Sequence, residues 1–333
     1  MIRRATEYQV DVSIVVPVYG GTAALPELCD RVAAAMSSAG RVYELILVDD
    51  RGQADSWQTI KALASHHAEV VGVRLSRNFG QHAATVCGME QARGEWIVTM
   101  DDDLEHPPEA ICALLDAADE EYPLVYGVFR RRTHSSHRNL SSEVMRRMLK
   151  MAFPELNGDY TSFRVIYAPL CKKLVGFRLS KPYIDGMLSW ITSSVRTVDV
   201  AHGTRRHGES TYTLRKLLSH AVNIFVTFSH VPLRIASFGG AALAAVSFVY
   251  MLVVIVMYLS GRIASPGYAS LMSVVLFACG IQLLILGVLG EYVGRLMGAI
   301  FQKPVYVVES LVGADSVTAP TRVVSYAPKA RVD

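Results

Sequence analysis

The chain has 333 residues, 51% of them hydrophobic, with a formal net charge of +3 and a mean hydropathy of +0.27. That length allows one large domain or two smaller ones with ample core, and the near-balanced charge gives no ground for a nucleic-acid partner. Five widely spaced cysteines without a CxxC exclude a zinc site or a disulfide framework and agree with a reducing compartment.

From the N-terminus, MIRRATEYQVDVSIVVP has no apolar core before a cleavage site, so no signal peptide is expected. DVSIVVP (11–17) reads as a strand, with a helix over about 24–38. ELILVDD (44–50) is a second strand, followed by a helix over 56–65, and VVGVRLS (70–76) is a third. A helix over 82–92, a strand EWIVTM (95–100), a helix started by Pro107-Pro108 and a strand LVYGVF (124–129) complete the run. This alternation predicts an α/β domain with a mostly parallel sheet covered by helices on both faces, whose ligands bind beyond the carboxyl ends of the strands. No GxGxxG or GxxxxGK[ST] occurs, so neither a dinucleotide fold nor a P-loop has support.

Farther on, 211–230 carries Leu214, Leu217, Leu218, Ala221, Phe225 and Phe228 at helical spacing, with Arg215 and Lys216 away from that stripe. Such a stripe more often packs on its own domain, but an apolar run follows at once, so an amphipathic helix lying in a membrane interface is expected over 211–234. Ile235–Gly261 and Ile263–Gly290 contain no charged residue, and each is longer than the ~20 residues that cross a bilayer. We expect transmembrane helices over 235–261 and 267–290 joined by a tight turn, in preference to a buried core hairpin. Basic residues on both flanks (Arg215, Lys216 and Arg234 before, Arg295 and Lys303 after) predict a cytoplasmic domain over 1–210 and a cytoplasmic tail over 291–333.

The strongest constellation is MDDDLEHPPE (100–109), three carboxylates at a strand end. Adjacent acids repel unless a cation or solvent screens them. Asp101 and Asp103, two apart, can both reach one Mg²⁺ or Mn²⁺ that bridges to a diphosphate; the alternative is an acidic solvated loop. Asp50, ending the second strand, can accept a hydrogen bond from a base or ribose, or simply form a turn. LSRNFGQHAA (75–84) sets Arg77, Asn78, Gly80 and His82 between a strand and a helix, where a glycine lets backbone approach a ligand and a helix N-terminus favours anions. GDYTSFR (158–164) offers Asp159, Thr161 and Arg164. RRHGESTY (205–212), with Arg205, Arg206, Ser210 and Tyr212, stands where a lipid phosphate would arrive. Arg130, in the cluster Arg130–Arg132 with Arg138, is a further phosphate-ligand candidate. A solvated basic surface is the alternative for both clusters.

These motifs, VSIVVPVY, ILVDD, LSRNFGQHAA, MDDDLEHPPE, NGDYTSFRVIY, RRHGESTYTLRKL, VPLRIAS and LGEYVGRL, occur in an order that resembles glycosyltransferase family 2, with its GT-A fold. Within it the chain is similar to the polyprenyl-phosphate glycosyltransferases over about residues 10–310. The resemblance implies transfer of a sugar from a nucleotide-sugar, a UDP-sugar by expectation, to polyprenyl (undecaprenyl) phosphate at the cytoplasmic face of the inner membrane. It implies donor contacts from Pro17, Tyr19, Asp50, Arg77, Asn78, Gly80, His82, Asp101 and Asp102. Asp101 and Asp103 would hold Mg²⁺ or Mn²⁺, with Glu105, where the family usually has Gln, as a further metal ligand. Arg130, Arg205, Arg206 and Ser210 would bind the acceptor phosphate, and Asp159 would sit near the acceptor and the anomeric carbon. A homo-oligomer, with a tetramer as the expected form, is implied by resemblance alone. Two departures stand out: Gly20-Gly21 follow VPVY in place of Asn-Glu, and Arg51-Gly52 follow VDD in place of Gly-Ser.

The expected reaction is a single inverting displacement. The acceptor phosphate is already anionic, so catalysis rests on orientation and charge neutralisation, with Asp103 and Asp159 as its central groups. A processive polysaccharide synthase would need more spans and a QxxRW motif, and Trp190 lies in LSWITSS instead. A transferase using another lipid acceptor and a non-catalytic membrane scaffold are the remaining alternatives.

Overall fold

The computed structural model describes residues 10–20, 22–52, 55–129, 160–177, 179, 182–201, part of 238–260, 267–300 and 304–313. Eight strands form one sheet: β1 (Val10–Val18), β2 (Tyr43–Asp49), β3 (Val70–Leu75), β4 (Gly94–Thr99), β5 (Leu124–Phe129), β6 (Arg164–Tyr167), β7 (Val195–Val200) and β8 (Val308–Val312). Their order is β7-β5-β6-β4-β1-β2-β3-β8. β1 pairs in parallel with β2 and β4, β2 with β3, and β5 with β7, whereas β6 runs antiparallel between β4 and β5, and β8 antiparallel along β3. The sheet is the mostly parallel one that the alternation of elements predicts.

Strand alternation sends side chains to two cores. Ile14, Val16, Leu45 and Leu47 face α1 (Leu25–Ser38), α2 (Ser56–His66) and α4 (Ile111–Asp116), where Leu28, Val32, Ile60 and Leu114 are fully buried. Val15, Ile46, Val48 and Val73 face the other side, packed with α3 (Gln81–Gln91), α5 (Ala168–Val175) and α6 (Ile184–Ile191). Covered on both faces, the central strands β1 to β3 are mostly apolar, as buried parallel strands are, whereas the edge strands β7 and β8 alternate.

Between β7 and β8 the chain forms a separate unit that includes 213–301. Its long helix α7 spans Tyr268–Ile300. At 1.5 Å per residue the 33 residues extend about 50 Å, more than the ~30 Å of hydrocarbon in a bilayer. Among the described residues it is the one helix long and apolar enough to cross a membrane, most apolar over Phe277–Gly294. Phe277, Leu283, Leu286 and Val293 on it are exposed, which does not fit a buried core hairpin. The described positions within 238–259 are helical as well.

Two elements differ from the sequence reading. The helix expected over 267–290 runs on through Glu291 and Arg295 to Ile300. Nor is 291–333 simply a tail: Val308–Val312 joins the eight-stranded sheet as β8, pairing Val312 with Gly72 and Val308 with Leu75. Glu309 on β8 takes a salt bridge from Arg51, and the Tyr306 hydroxyl donates to Glu90. The interfacial helix expected over 211–234 lies outside the described residues.

Candidate active site

The register lines up the carboxyl ends of four strands: Val18 opposite Asp49, Asp49 opposite Arg74, and Val15 opposite Thr99. The loops leaving these ends build the site. After β1, Tyr19 is 60% exposed, an aromatic face open to a flat ligand such as a base. Its backbone N–H donates to Asp102 Oδ2, tying the β1 loop to the carboxylate loop after β4. Gly52, after β2, has backbone packed so tightly on Tyr19 that a Cβ would lie 1.5 Å from the Tyr19 carbonyl oxygen. Glycine is therefore required one position later than in the usual family pattern. Arg51, where that pattern has glycine, adopts φ 53°, in the left-handed region that L-residues rarely adopt. Its guanidinium donates to the Leu75 carbonyl and bridges to Glu309, contacts that offset the strain.

Asp50 is 2% exposed, and both its carboxylate oxygens are engaged: Oδ1 accepts from Phe79 N–H at 2.7 Å and Oδ2 from Gly80 N–H at 2.8 Å. Burial pushes its pKa above the ordinary carboxylate value, against the pull of those two N–H groups. Asp50 thus shapes the 77–82 loop rather than presenting an open acceptor edge. Gly80, at φ 94° and ψ 154°, occupies backbone space open essentially to glycine alone. Its N–H is committed to Asp50, so what the loop turns outward is Arg77, stacked over Phe79 at 4.8 Å, and Asn78.

The Asp101–Asp103 loop is rigidly prepared. Asp101 Oδ1 accepts from Gln81 Nε2 at 2.6 Å and Oδ2 from Ser162 Oγ at 2.9 Å. Asp103 Oδ1 accepts from Glu105 N–H at 3.1 Å. Leu104, at φ 63° and 2% exposed, anchors the turn in the core in a conformation held only by its surroundings. His106 is the residue that sequence reasoning passed over. It is 5% exposed, stacked on Phe129 at 5.5 Å and on Phe163 at 5.2 Å, and its Nδ1 accepts the Asp101 backbone N–H at 2.9 Å. Burial lowers its pKa, so the ring is neutral with its proton on Nε2, 3.8 Å from Asp101 Oδ2. His106→Phe keeps the ring stacking and deletes the acceptor. Stranding a buried N–H typically costs ~1–3 kcal/mol, so the melting temperature should fall by several degrees. His106→Asn, whose Oδ1 can replace Nδ1, should recover part of that loss; equal melting of wild type and His106→Phe would rule the contact out as a support of the loop.

A cavity of about 150 Å³ opens beside Asp101, lined by Pro17, Gln81, His82, Thr99, Ser162, Arg164 and Asp185 among others. The structure thus brings Pro17, His82, Asp101 and the motif residue Arg164 together, and adds Gln81, Ser162 and Asp185. A lone acid in the otherwise apolar YIDGMLSWI was the available signal for Asp185. Asp159, Arg130, Arg205, Arg206 and Ser210 lie outside the described residues. Among the described residues, no three His, Cys, Asp or Glu side chains converge as a ready cation cage, so Glu105 is not drawn into a cluster with Asp101 and Asp103.

A mostly parallel α/β sheet with paired acids at a strand end, beside a polar cleft, fits the GT-A fold that the family resemblance implies, with the site beyond the carboxyl ends of the strands. The family match and the sequence relatives agree. The description "Glycosyl transferase family 2" matches residues 13–171, and "GtrB C-terminal hairpin" matches 231–296. The chain is 34% identical to the undecaprenyl-phosphate 4-deoxy-4-formamido-L-arabinose transferase of Pseudomonas paraeruginosa, over 94% of each chain. It is 31% identical to the uncharacterized glycosyltransferase YkcC of Bacillus subtilis, over 92% of this chain and 96% of that one. Among solved structures, glucosyl-3-phosphoglycerate synthase from Mycobacterium tuberculosis with Mn²⁺, UDP and glucosyl-3-phosphoglycerate aligns with a TM-score of 0.48 at 18% identity, over 66% of this chain and 78% of that one. The chain belongs to glycosyltransferase family 2 and is a glycosyltransferase.

Proposed function

We propose that this enzyme transfers a sugar from a UDP-sugar to undecaprenyl phosphate at the cytoplasmic membrane face, with inversion at the anomeric carbon. The observation that carries the reading is that one sheet contains both the strand leading to Asp101–Asp103 and β8, the strand that follows the apolar helix. A single folded sheet stands on one side of a membrane. The chain leaves it after β7 and returns at β8, so it crosses an even number of times between them. α7 supplies one crossing, and the uncharged 235–261 segment is the candidate for the other. Basic residues on both flanks put the sheet on the cytoplasmic side. The relatives named as undecaprenyl-phosphate transferases favour that acceptor.

The nucleotide is read as lying across Tyr19 and the 77–82 loop that Asp50 shapes, with its diphosphate at Asp101–Asp103. Mg²⁺ and Mn²⁺ sites on phosphate substrates usually take one or two protein carboxylates and leave the rest to phosphate oxygens and water. Asp101 and Asp103 fit that pattern: a carboxylate has about four lone-pair sites, so the bonds from Gln81, Ser162 and the Glu105 N–H leave acceptor capacity over. A bound cation there would neutralise charge developing on the departing diphosphate. Gln81, Ser162 and His106 hold Asp101 in place. Arg205, Arg206 and Ser210 are read as the acceptor-phosphate ligands, with Asp159 orienting the acceptor or the sugar. Homo-oligomerisation is kept as an expectation from resemblance.

Topology is checked with a reporter fused after Asp333. Alkaline phosphatase, active only outside the cytoplasm, should be inactive there, and a cytoplasm-active reporter should be active. The reverse pattern would sink the cytoplasmic placement of the sheet.

A further inference from the structure

Arg51 stands where the chain turns out of β2, at φ 53°. A residue with a Cβ rarely holds this left-handed conformation unless its surroundings impose it, and such residues cluster at ligand clamps. The turn bears on the candidate donor site from both sides. Just before it, the Asp50 N–H donates to the Val18 carbonyl at 2.9 Å, and the Asp50 carboxylate holds the N–H groups of Phe79 and Gly80. Just after it, Gly52 lies hard against the Tyr19 backbone, so a change of φ at Arg51 cannot leave Tyr19 where it is.

Glu309 reaches this turn from β8. The register between β3 and β8 shifts by one residue: Arg74 pairs with Ser310 and Leu75 with Val308, which leaves Glu309 as the extra residue of a bulge. Bulges re-aim side chains and are common beside active sites. The Glu309 carboxylate forms a salt bridge with the Arg51 guanidinium and stands 3.7 Å from Arg74 Nε, which is 3.3 Å from Oδ2 of the buried Asp49. One re-aimed carboxylate thus meets both cations that flank the end of β2. The Ser76 N–H, donating to the Val307 carbonyl at 2.8 Å, fixes the start of β8 beside the same strand ends. A partly exposed ion pair adds little to overall stability, so its interest lies in the strained turn it holds.

We propose that Glu309 is a positioning residue for the donor site: it latches Arg51 in the left-handed turn, and the turn sets Tyr19 and the 77–82 loop for the nucleotide. This rests on the donor-site reading above. Glu309 touches no substrate and acts through Arg51. With the latch gone, residue 51 relaxes to negative φ in the free enzyme, and nucleotide binding must restore the strained turn. Glycine adopts positive φ without steric cost, so a glycine at 51 needs no latch. The departure from the family pattern at 51 is thereby tied to β8: where that pattern has glycine, this chain has arginine and an acid on a distant strand to hold it.

The test is calorimetry of UDP binding to the full-length protein in detergent with Mn²⁺, with melting followed in parallel. Arg51→Ala and Arg51→Gly delete the same guanidinium contacts but differ in tolerance of positive φ. Arg51→Gly should bind UDP within about twofold of wild type and Arg51→Ala roughly three- to tenfold more weakly, the size expected when an exposed ion pair and part of the strain are released. Glu309→Ala should weaken binding about as much as Arg51→Ala does. Glu309→Gln, which keeps an acceptor for the guanidinium, should lose less, and Glu309→Ala in the Arg51→Gly background should lose nothing further. Equal affinities of Arg51→Ala and Arg51→Gly, unchanged affinity in folded Glu309→Ala, or a Glu309→Ala loss that persists beside glycine at 51 each overturns the proposal. If Glu309→Ala fails to fold, the two Arg51 variants decide the matter. Failure of wild type to bind UDP at all overturns instead the donor-site reading beneath it.

Discussion

Asp103→Ala should lower the transfer rate by ~10²-fold or more at saturating Mn²⁺ while the protein still folds and inserts. The two effects separate because the Asp103 carboxylate lies on a partly exposed loop outside the hydrophobic core. Its described bond is an Oδ1 contact with the Glu105 N–H on a partly exposed loop, and such a bond is worth only ~0.5–1.5 kcal/mol to stability. Its position on a loop fixed by Leu104 and His106 instead suits it to a charge that develops during reaction. Asp103→Asn is the sharper probe, since it retains an acceptor for Glu105 and removes the charge. If the purified Ala variant keeps more than about a tenth of the wild-type rate, Asp103 is not a metal or diphosphate ligand.

The double variant Arg205→Ala/Arg206→Ala should raise the acceptor KM or lower kcat by roughly 10–150-fold and leave nucleotide affinity nearly unchanged. A charge-assisted Arg–phosphate contact is worth ~1.5–3 kcal/mol, and ~1.4 kcal/mol is a factor of ten. The argument is one of reach. A polyprenyl phosphate keeps its tail in the bilayer, so groups that bind its headgroup must lie near membrane level. Arg205 and Arg206 follow β7 by only a few residues and precede the apolar segments. Calorimetry with UDP and transfer kinetics at varied acceptor distinguish the outcomes. Lost UDP affinity with an unchanged acceptor KM would assign the loop to the donor diphosphate.

The first five strands were legible because each is an apolar, β-branched run ending in polar turn residues; β5 is found over 124–129 as read, and β1 to β4 within a residue or so at their ends. β6, β7 and β8 were not. Arg164–Tyr167 is four residues long, Val195–Val200 alternates polar and apolar as an edge strand does, and Val308–Val312 is an isolated segment whose pairing with β3 depends on chain hundreds of residues distant. Local pattern carries no information on such a return. The carboxylate loop was readable from its position at a strand end, but the bonds that fix it were not. Gln81, Ser162 and His106 reach Asp101 from α3, the segment before β6 and the loop itself, and only the folded sheet brings them together. Asp50 shows the converse: its place at a strand end was legible, but its two backbone partners, Phe79 and Gly80, were not.

The most direct measurement is transfer itself. Membranes containing the wild-type enzyme, or its Asp101→Asn/Asp103→Asn variant, are given undecaprenyl phosphate, Mn²⁺ and a panel of radiolabelled UDP-sugars, and the product is extracted into organic solvent. The account predicts that at least one UDP-sugar yields an acid-labile, lipid-extractable label that requires added undecaprenyl phosphate and divalent cation and is absent with the variant. Label that stays in the aqueous phase for every UDP-sugar, or lipid label that persists undiminished in the variant, would contradict it.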